Sequence, residues 1–385
     1  MRPSGLATTL FLFACQERAS NVSTANGTSF PVTVDLGAPT QLWEPKNGYV
    51  RIDALAVAAD GRVAVYDAGA STMYVVAADG TSGRVVGGHG AGPGELGQVS
   101  AVAFLSDGRL VARDFILSRL AVFSPEYAPV GHIPVPPSEL MGQRALRVVR
   151  GSNVLIGTTG PRRGKFETSS FSYQAVDSLK TGNEHVDLPP DVAEECAVEY
   201  MEGEPRVKVG KPEPQLSVLA SGSTVVACAS SGRLELRRTG KPTQKLVVPS
   251  VEVPLTEQER SESRASFAAL MQREVPGWTW RGPDVPRTHP PFRQVFAGDD
   301  GTVWLKTPRP STRCAREDRC AWRVRSGLSL YDTTGVLVAE INVPLNFSFR
   351  TDPVLTSRSI VSVILDESDV PHLAKFAVPP RAGSR

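Results

Sequence analysis

Apolar and polar positions alternate along much of this chain, and the clearest run is Val99 to Leu105. Successive strand residues face opposite sides, so Val99, Ala101, Ala103 and Leu105 share one face while Val102 and Phe104 share the other. Both faces are apolar, so both must be covered, and an isolated two-stranded hairpin is too marginal in water to cover them. Asp107-Gly108 then supplies a hairpin turn, Arg109 to Arg113 reads as the return strand, and a third run ends at Phe123. With the Gly-rich loop that precedes it, Gly87 to Pro125 spells a small antiparallel sheet in order.

The same pattern stands 47 residues upstream. Ile52 to Asp67 (IDALAVAADGRVAVYD) matches Val99 to Asp114 (VSAVAFLSDGRLVARD), which sets Asp60-Gly61 on Asp107-Gly108 and Asp67 on Asp114 without a gap. A repeat of this length made only of strand and turn is the signature of a propeller blade, a unit too thin to bury its own faces. GGHGAGPGEL followed by VSAVAFLSDGRLVARD and SRLAVFSP resembles the NHL-type repeat, and the chain more loosely resembles the six-bladed propeller lipoproteins of environmental bacteria. The resemblance covers the first two repeats and implies a fold and an exported compartment, but no reaction.

Weaker copies follow. Strand patterns at 145–158 with 171–176, 216–248, 293–343 and 354–376 make four further blades, Asp300-Gly301 repeating the turn. The expected fold is therefore an all-β, six-bladed β-propeller over residues 31–379, its last blade closed by the N-terminal strand Val32 to Leu36. One segment breaks the rhythm. Thr256-Glu257-Gln258-Glu259 is a capping box, and Phe267, Leu270 and Met271 follow at helical spacing, so a helix from about Glu257 to Arg273 sits in an insertion at 255–290. Its apolar stripe reads as a packing face, and Trp278 and Trp280 are expected to lay it across the ring.

Gly 34 and Pro 31 suit many short strands joined by turns, and a net charge of +2 with no basic stripe argues against nucleic acid. At the start, Arg2, an apolar run from Leu6 to Ala14 and Leu12-Phe13-Ala14-Cys15 resemble a bacterial lipobox. The run is too short to span a bilayer. Residues 1–15 are thus expected to be a signal peptide with Cys15 as the lipidation site, 16–30 a flexible tether and 380–385 a disordered tail. Membrane contact would be through the lipid alone, at the outer membrane. In an exported chain Cys314 is expected to pair with Cys320, and Cys196 with Cys228. Zinc is the competing reading, but no His lies near either pair, so no metal and no cofactor are expected.

Functional residues are sought on the rim opposite the Asp-Gly turns, where the longer loops gather. Starts of first strands should line the channel mouth, placing Asp53, Ser100, Gln215, Arg293 and Asp352 there. His89, Asp67 and Asp114 belong to the same rim, although Asp67 and Asp114 could equally accept loop amides, and Lys306 clusters with Arg293 and Trp304 on blade five. These residues make the expected role a binding module for a protein, peptide, glycan or small molecule, acting as a monomer. A propeller enzyme of lactonase or lyase type is the alternative: it needs carboxylates such as Asp53 and Asp352 on a metal, or paired His. The five His are scattered.

Overall fold

The computed structural model describes residues 32–135, 146–149, 153–163, 166–196, 200–201, 204–205, 215–249, 252–280, 284–313 and 322–378. Cys15, Cys314, Cys320 and the side chain of Cys196 lie outside them. The fold is an all-β propeller. Sheet 1 contains Ile52–Val57, Val63–Asp67, Thr72–Val76 and Gly83–Gly87, each antiparallel to the next. Sheet 2 repeats it with Val99–Phe104, Leu110–Asp114, Arg119–Phe123 and Pro129–Pro134. Sheet 3 spans Leu146–Val149 to Lys180–Asp187, and sheet 4 spans Gln215–Val218 to Gln244–Lys245. In sheet 5, Gln294–Ala297, Val303–Arg313, Trp322–Tyr331 and Leu337–Asn342 follow one another. In sheet 6, Phe347–Ser348 and Val354–Leu355 both pair with Ser359–Leu365, which pairs with Pro371–Ala377.

Each sheet buries both faces, so its apolar side chains meet those of its neighbours in a closed series. Tyr66 and Phe123 lie in the cluster between sheets 1 and 2, and Leu120 and Val154 in that between sheets 2 and 3. Val186 and Leu216 link sheets 3 and 4, and Leu234 and Phe292 link sheets 4 and 5. Trp304 packs with Phe376 between sheets 5 and 6, while Val65 and Val363 return the series to sheet 1. Burial of this kind stabilises at roughly 25 cal/mol per Å² of apolar surface, spread around the ring rather than held in one centre.

The N-terminus departs from expectation. Val32–Asp35 does not close the last sheet: it lies parallel to Leu337–Asn342 on the outside of sheet 5, Val34 opposite Ile341. The chain then crosses over, and Thr40–Gln41 adds to sheet 6 antiparallel to Lys375 and Ala374. A four-residue strand fits any open edge, and its alternation carries no information about which edge.

Two helices interrupt the sheets. Helix α1 is Pro190–Cys196; α2 is Glu257–Glu274, with the capping box formed as its sequence implies: Thr256 Oγ1 accepts from Glu259 N at 3.1 Å and Glu259 Oε2 accepts from Thr256 N. Polar links fix α2 as much as apolar ones. Met271 is buried, but so is Glu259, while Arg260 donates to Val285 O and Trp322 donates to Glu262 Oε2 at 2.7 Å. Trp280 stacks edge-on with Trp278 and lies under the Arg264 guanidinium on that helix. Among the described residues no helix is long and apolar enough to cross a membrane.

Candidate functional site

A cavity of about 980 Å³ runs between the first strands of the sheets. Its wall is made of Asp53 to Ala59 from sheet 1, Ser100 to Ser106 from sheet 2, Val218 and Ala220 from sheet 4, Ala297 to Asp300 from sheet 5 and Arg350 to Pro353 from sheet 6. Small apolar side chains dominate its middle. Near the rim where the first strands begin, Asp53 pairs with Arg51 at 3.2 Å, and the buried Ser100 Oγ has no hydrogen-bond partner among the described residues. At the opposite end stand Asp299, Asp300 and Arg358.

The remaining expected residues separate into four groups. Asp67 and Asp114 are fully buried and their carboxylates hold loops. Asp67 accepts from the amides of Val50, Arg51, Gly69 and Ala70, and Asp114 from those of Gly97, Gln98 and Leu117, all between 2.8 and 3.2 Å. Neither is part of the cavity wall. His89 lies on an exposed loop whose backbone bridges to Leu96, away from the other candidates. Gln215, expected at the mouth, instead clamps sheet 4 to sheet 5: it donates to Arg293 O and accepts from Val295 N, both at 2.6 Å.

Arg293, Lys306 and Asp352 do come together. The Arg293 amide donates to Lys306 O at 2.7 Å, and Gln294, opposite Lys306 in the ladder, donates to Asp352 Oδ1 at 3.0 Å. Lys306 is half-buried with its Nζ over the Phe349 ring, 4.3 Å from the centroid, and makes no salt bridge or hydrogen bond with any described residue. Burial, reinforced by the Arg293 charge and only partly opposed by Asp352, pulls its pKa down to about 8. Arg293 is similarly placed. Its Nη2 donates to His289 Nδ1 at 3.0 Å, and among the described residues its buried Nε has no partner and no carboxylate lies within salt-bridge distance. Burial lowers its pKa too, with Glu259 opposing.

Behind the pair stands a relay that sequence reading missed. Arg is a donor only, so His289 Nδ1 must accept and its Nε2 carries the proton, facing Ser311 Oγ at 3.3 Å and Glu259 Oε1 at 3.9 Å. Burial first and the Arg293 charge second hold the imidazole below its usual pKa, keeping it neutral. The capping-box Glu259 thus reaches the rim through His289. The signal available in the sequence was Phe292-Arg293-Gln294, standing where the first repeat has Ile52-Asp53-Ala54. Among the described residues no three His, Cys, Asp or Glu side chains gather as a metal cage would require.

No family model matches the sequence, and no curated protein matches it. Solved structures resemble it in fold. A member of the DUF4221 family from Bacteroides vulgatus is 10% identical with a TM-score of 0.57, over 89% of this chain and 96% of that one. Regucalcin, a calcium-binding protein from Agrobacterium tumefaciens, is 12% identical with a TM-score of 0.44, over 91% and 96%. A catalytically inactive virginiamycin B lyase from Staphylococcus aureus is 9% identical with a TM-score of 0.41, over 89% and 99%. At these identities the likeness is one of fold alone.

Proposed function

We propose that this chain is an exported, lipid-anchored propeller of six blades that binds a small molecule or short peptide segment in its central channel. The observation that carries the reading is the cavity of about 980 Å³ to which five sheets contribute. Its volume lies within the range typical of small-molecule sites, and apolar walls with a few polar groups at the ends are how such sites combine affinity with orientation. Ser100 Oγ, buried and unpartnered, is a group that a ligand could satisfy. The blade count is supported by the six sheets of four or five strands. The anchor at Cys15 rests on the Leu12 to Cys15 pattern. The Cys196 to Cys228 bridge gains support from α1, which ends at Cys196 and packs on the strand ending at the buried Cys228.

The test is a screen of small molecules and short peptides against the purified chain, read as a rise in melting temperature that grows with ligand concentration. A Ser100→Trp substitution, which fills the mouth, should abolish the rise for a channel ligand. A rise that survives it unchanged puts the ligand elsewhere and overturns the reading.

A further inference from the structure

The geometry points to an anion subsite at the rim of the propeller, in which Arg293 and Lys306 receive a single carboxylate group. The subsite is independent of any channel ligand. Arg293 and Lys306 are backbone neighbours on sheet 5, with their charges close enough for Arg293 to depress the Lys306 pKa; both are partly out of water, and neither has a carboxylate within salt-bridge distance among the described residues. Removing a charge from water without a counter-ion is costly, and placing a second like charge beside it adds to that cost. Two other half-buried arginines are neutralised instead. The half-buried Arg233 of sheet 4 is met by Asp191, Glu195 and Glu235, and Arg260 of α2 by Glu257 and Asp284.

The surroundings hold the pair ready rather than neutralising it. Arg293 is oriented by His289, which presents a lone pair and no negative charge, and His289 is in turn fixed by Ser311 and Glu259. Lys306 is supported from below by the Phe349 ring, an attraction that leaves its N–H donors unsatisfied. Donors in need of an acceptor, on groups already locked in place, are what an anion site requires.

The same surroundings select the charge of the ligand. Asp352 is close enough to raise the pKa of Lys306, and its second tie is to Gln294, so one carboxylate already flanks the site. Arg293, Lys306 and Asp352 together carry one net positive charge, so a monoanion neutralises the group whereas a dianion leaves a net negative charge partly out of water. A carboxylate, a monoanion whose two oxygens can each accept from one cation, is the ligand class, from either a small organic acid or a peptide chain end.

Acetate, with chloride at matched ionic strength as the reference, is the direct probe. It should raise the melting temperature of the purified chain along a saturating curve, and sulfate should do so less. Lys306→Met and Arg293→Met should each weaken acetate binding about tenfold or more, the loss expected for one charge-assisted hydrogen bond. Lys306→Arg should retain binding, and Lys245→Met, at an exposed position, should leave it unchanged. Trialanine compared with its C-terminal amide separates the sources: a response to the free acid beyond that of acetate indicates a chain end, and equality with acetate indicates a small acid. If a variant does not fold, calorimetry of the unaltered protein at pH 8 in buffers of different ionisation enthalpy gives an independent reading, because binding should draw a proton onto Lys306. A saturable acetate response equally strong in both Met variants, or no acetate response beyond chloride in the folded protein, overturns the subsite.

Discussion

Sheets 1 and 5 run the same course through the ring and handle charge in opposite ways. With Asp300-Gly301 set on Asp60-Gly61, Arg293 falls on Asp53, Lys306 on Tyr66 and Thr307 on Asp67, and the ladder agrees, since Gln294 faces Lys306 as Ala54 faces Tyr66. In sheet 1 the strand-ending Asp67 accepts four loop amides, and sheet 2 repeats three of those bonds through Asp114. In sheet 5 a buried Thr307 replaces that acid, and it is the first strand, at Arg293 and Val295, that is tied by Gln215 from the neighbouring sheet. Freed of the carboxylate, the position gains two cations. In the faithful repeats the strand-ending acid is satisfied by loop amides, whereas in the blade that departs from them two partly buried cations stand without a carboxylate at salt-bridge distance among the described residues.

The largest effect is expected where a carboxylate is structural, in sheets 1 and 2. Asp114→Ala removes the acceptor for three amides in a position with no solvent access. Each unsatisfied buried donor costs about 1–3 kcal/mol, so a loss of roughly 3 kcal/mol or more is expected from urea unfolding. A loss under about 1 kcal/mol would mean that water or other groups replace the carboxylate and that the loop is not pinned by it.

At the other end, Lys306→Met should stabilise the unliganded protein. The folded pKa of Lys306, about 8, is lower than the ordinary lysine value of 10.5, so the unfolded chain holds the proton more tightly. Stability must then be depressed in full below about pH 8 and recover as pH rises from there to 10.5. Removing the amine should raise stability by about 1–3 kcal/mol at pH 7 and abolish that alkaline recovery. The pH dependence of the urea midpoint for both proteins checks the sign. A Lys306→Met protein less stable than its parent would show that the charge is already compensated.

Gln215→Ala tests whether sheet 5 leans on its neighbour. Its amide makes two 2.6 Å bonds across the boundary, and their loss should cost about 1–2 kcal/mol by the same assay. Faster exchange of the Val295 amide with solvent would locate the effect.

How far all this was legible follows from where the information sits. Sheets 1 and 2 were written locally: alternation, an Asp-Gly turn with Gly61 and Gly108 at positive φ, and an acid at the strand end fix strand, turn and loop within sixteen residues. The capping box at Thr256 was equally local. The partner of Val32–Asp35 was not, because sheet edges all offer the same backbone groups. The approach of Arg293, Lys306 and Asp352 could be glimpsed from strand position, but Glu259 behind His289 and Phe349 beneath Lys306 come from other elements of the ring. Conversely, Asp67 and Asp114 looked chemical because acids at strand ends do, and only the count of amides around them reveals their use.

The smallest expected effect lies on the opposite rim, where the repeat is most faithful and yet differs in one partner. Asp60 accepts from the Arg62 amide at 3.1 Å and Nε at 2.7 Å, and Asp107 does the same for Arg109. Beyond the turn the arginines diverge: Arg62 reaches the Tyr127 hydroxyl and stacks on its ring, whereas Arg109 meets the Asp177 carboxylate at 2.5 Å. Both arginines are half-buried but their carboxylate partners are exposed, and contacts so open to water contribute about 0.5 kcal/mol. Their salt dependence should nevertheless separate them. The stability lost in Arg109→Met should shrink as sodium chloride rises and shortens the screening length, while the loss in Arg62→Met should keep the share contributed by the aromatic ring. Equal screening in both would mean that the turn carboxylates Asp60 and Asp107, not the links to the next sheet, account for what the two arginines do.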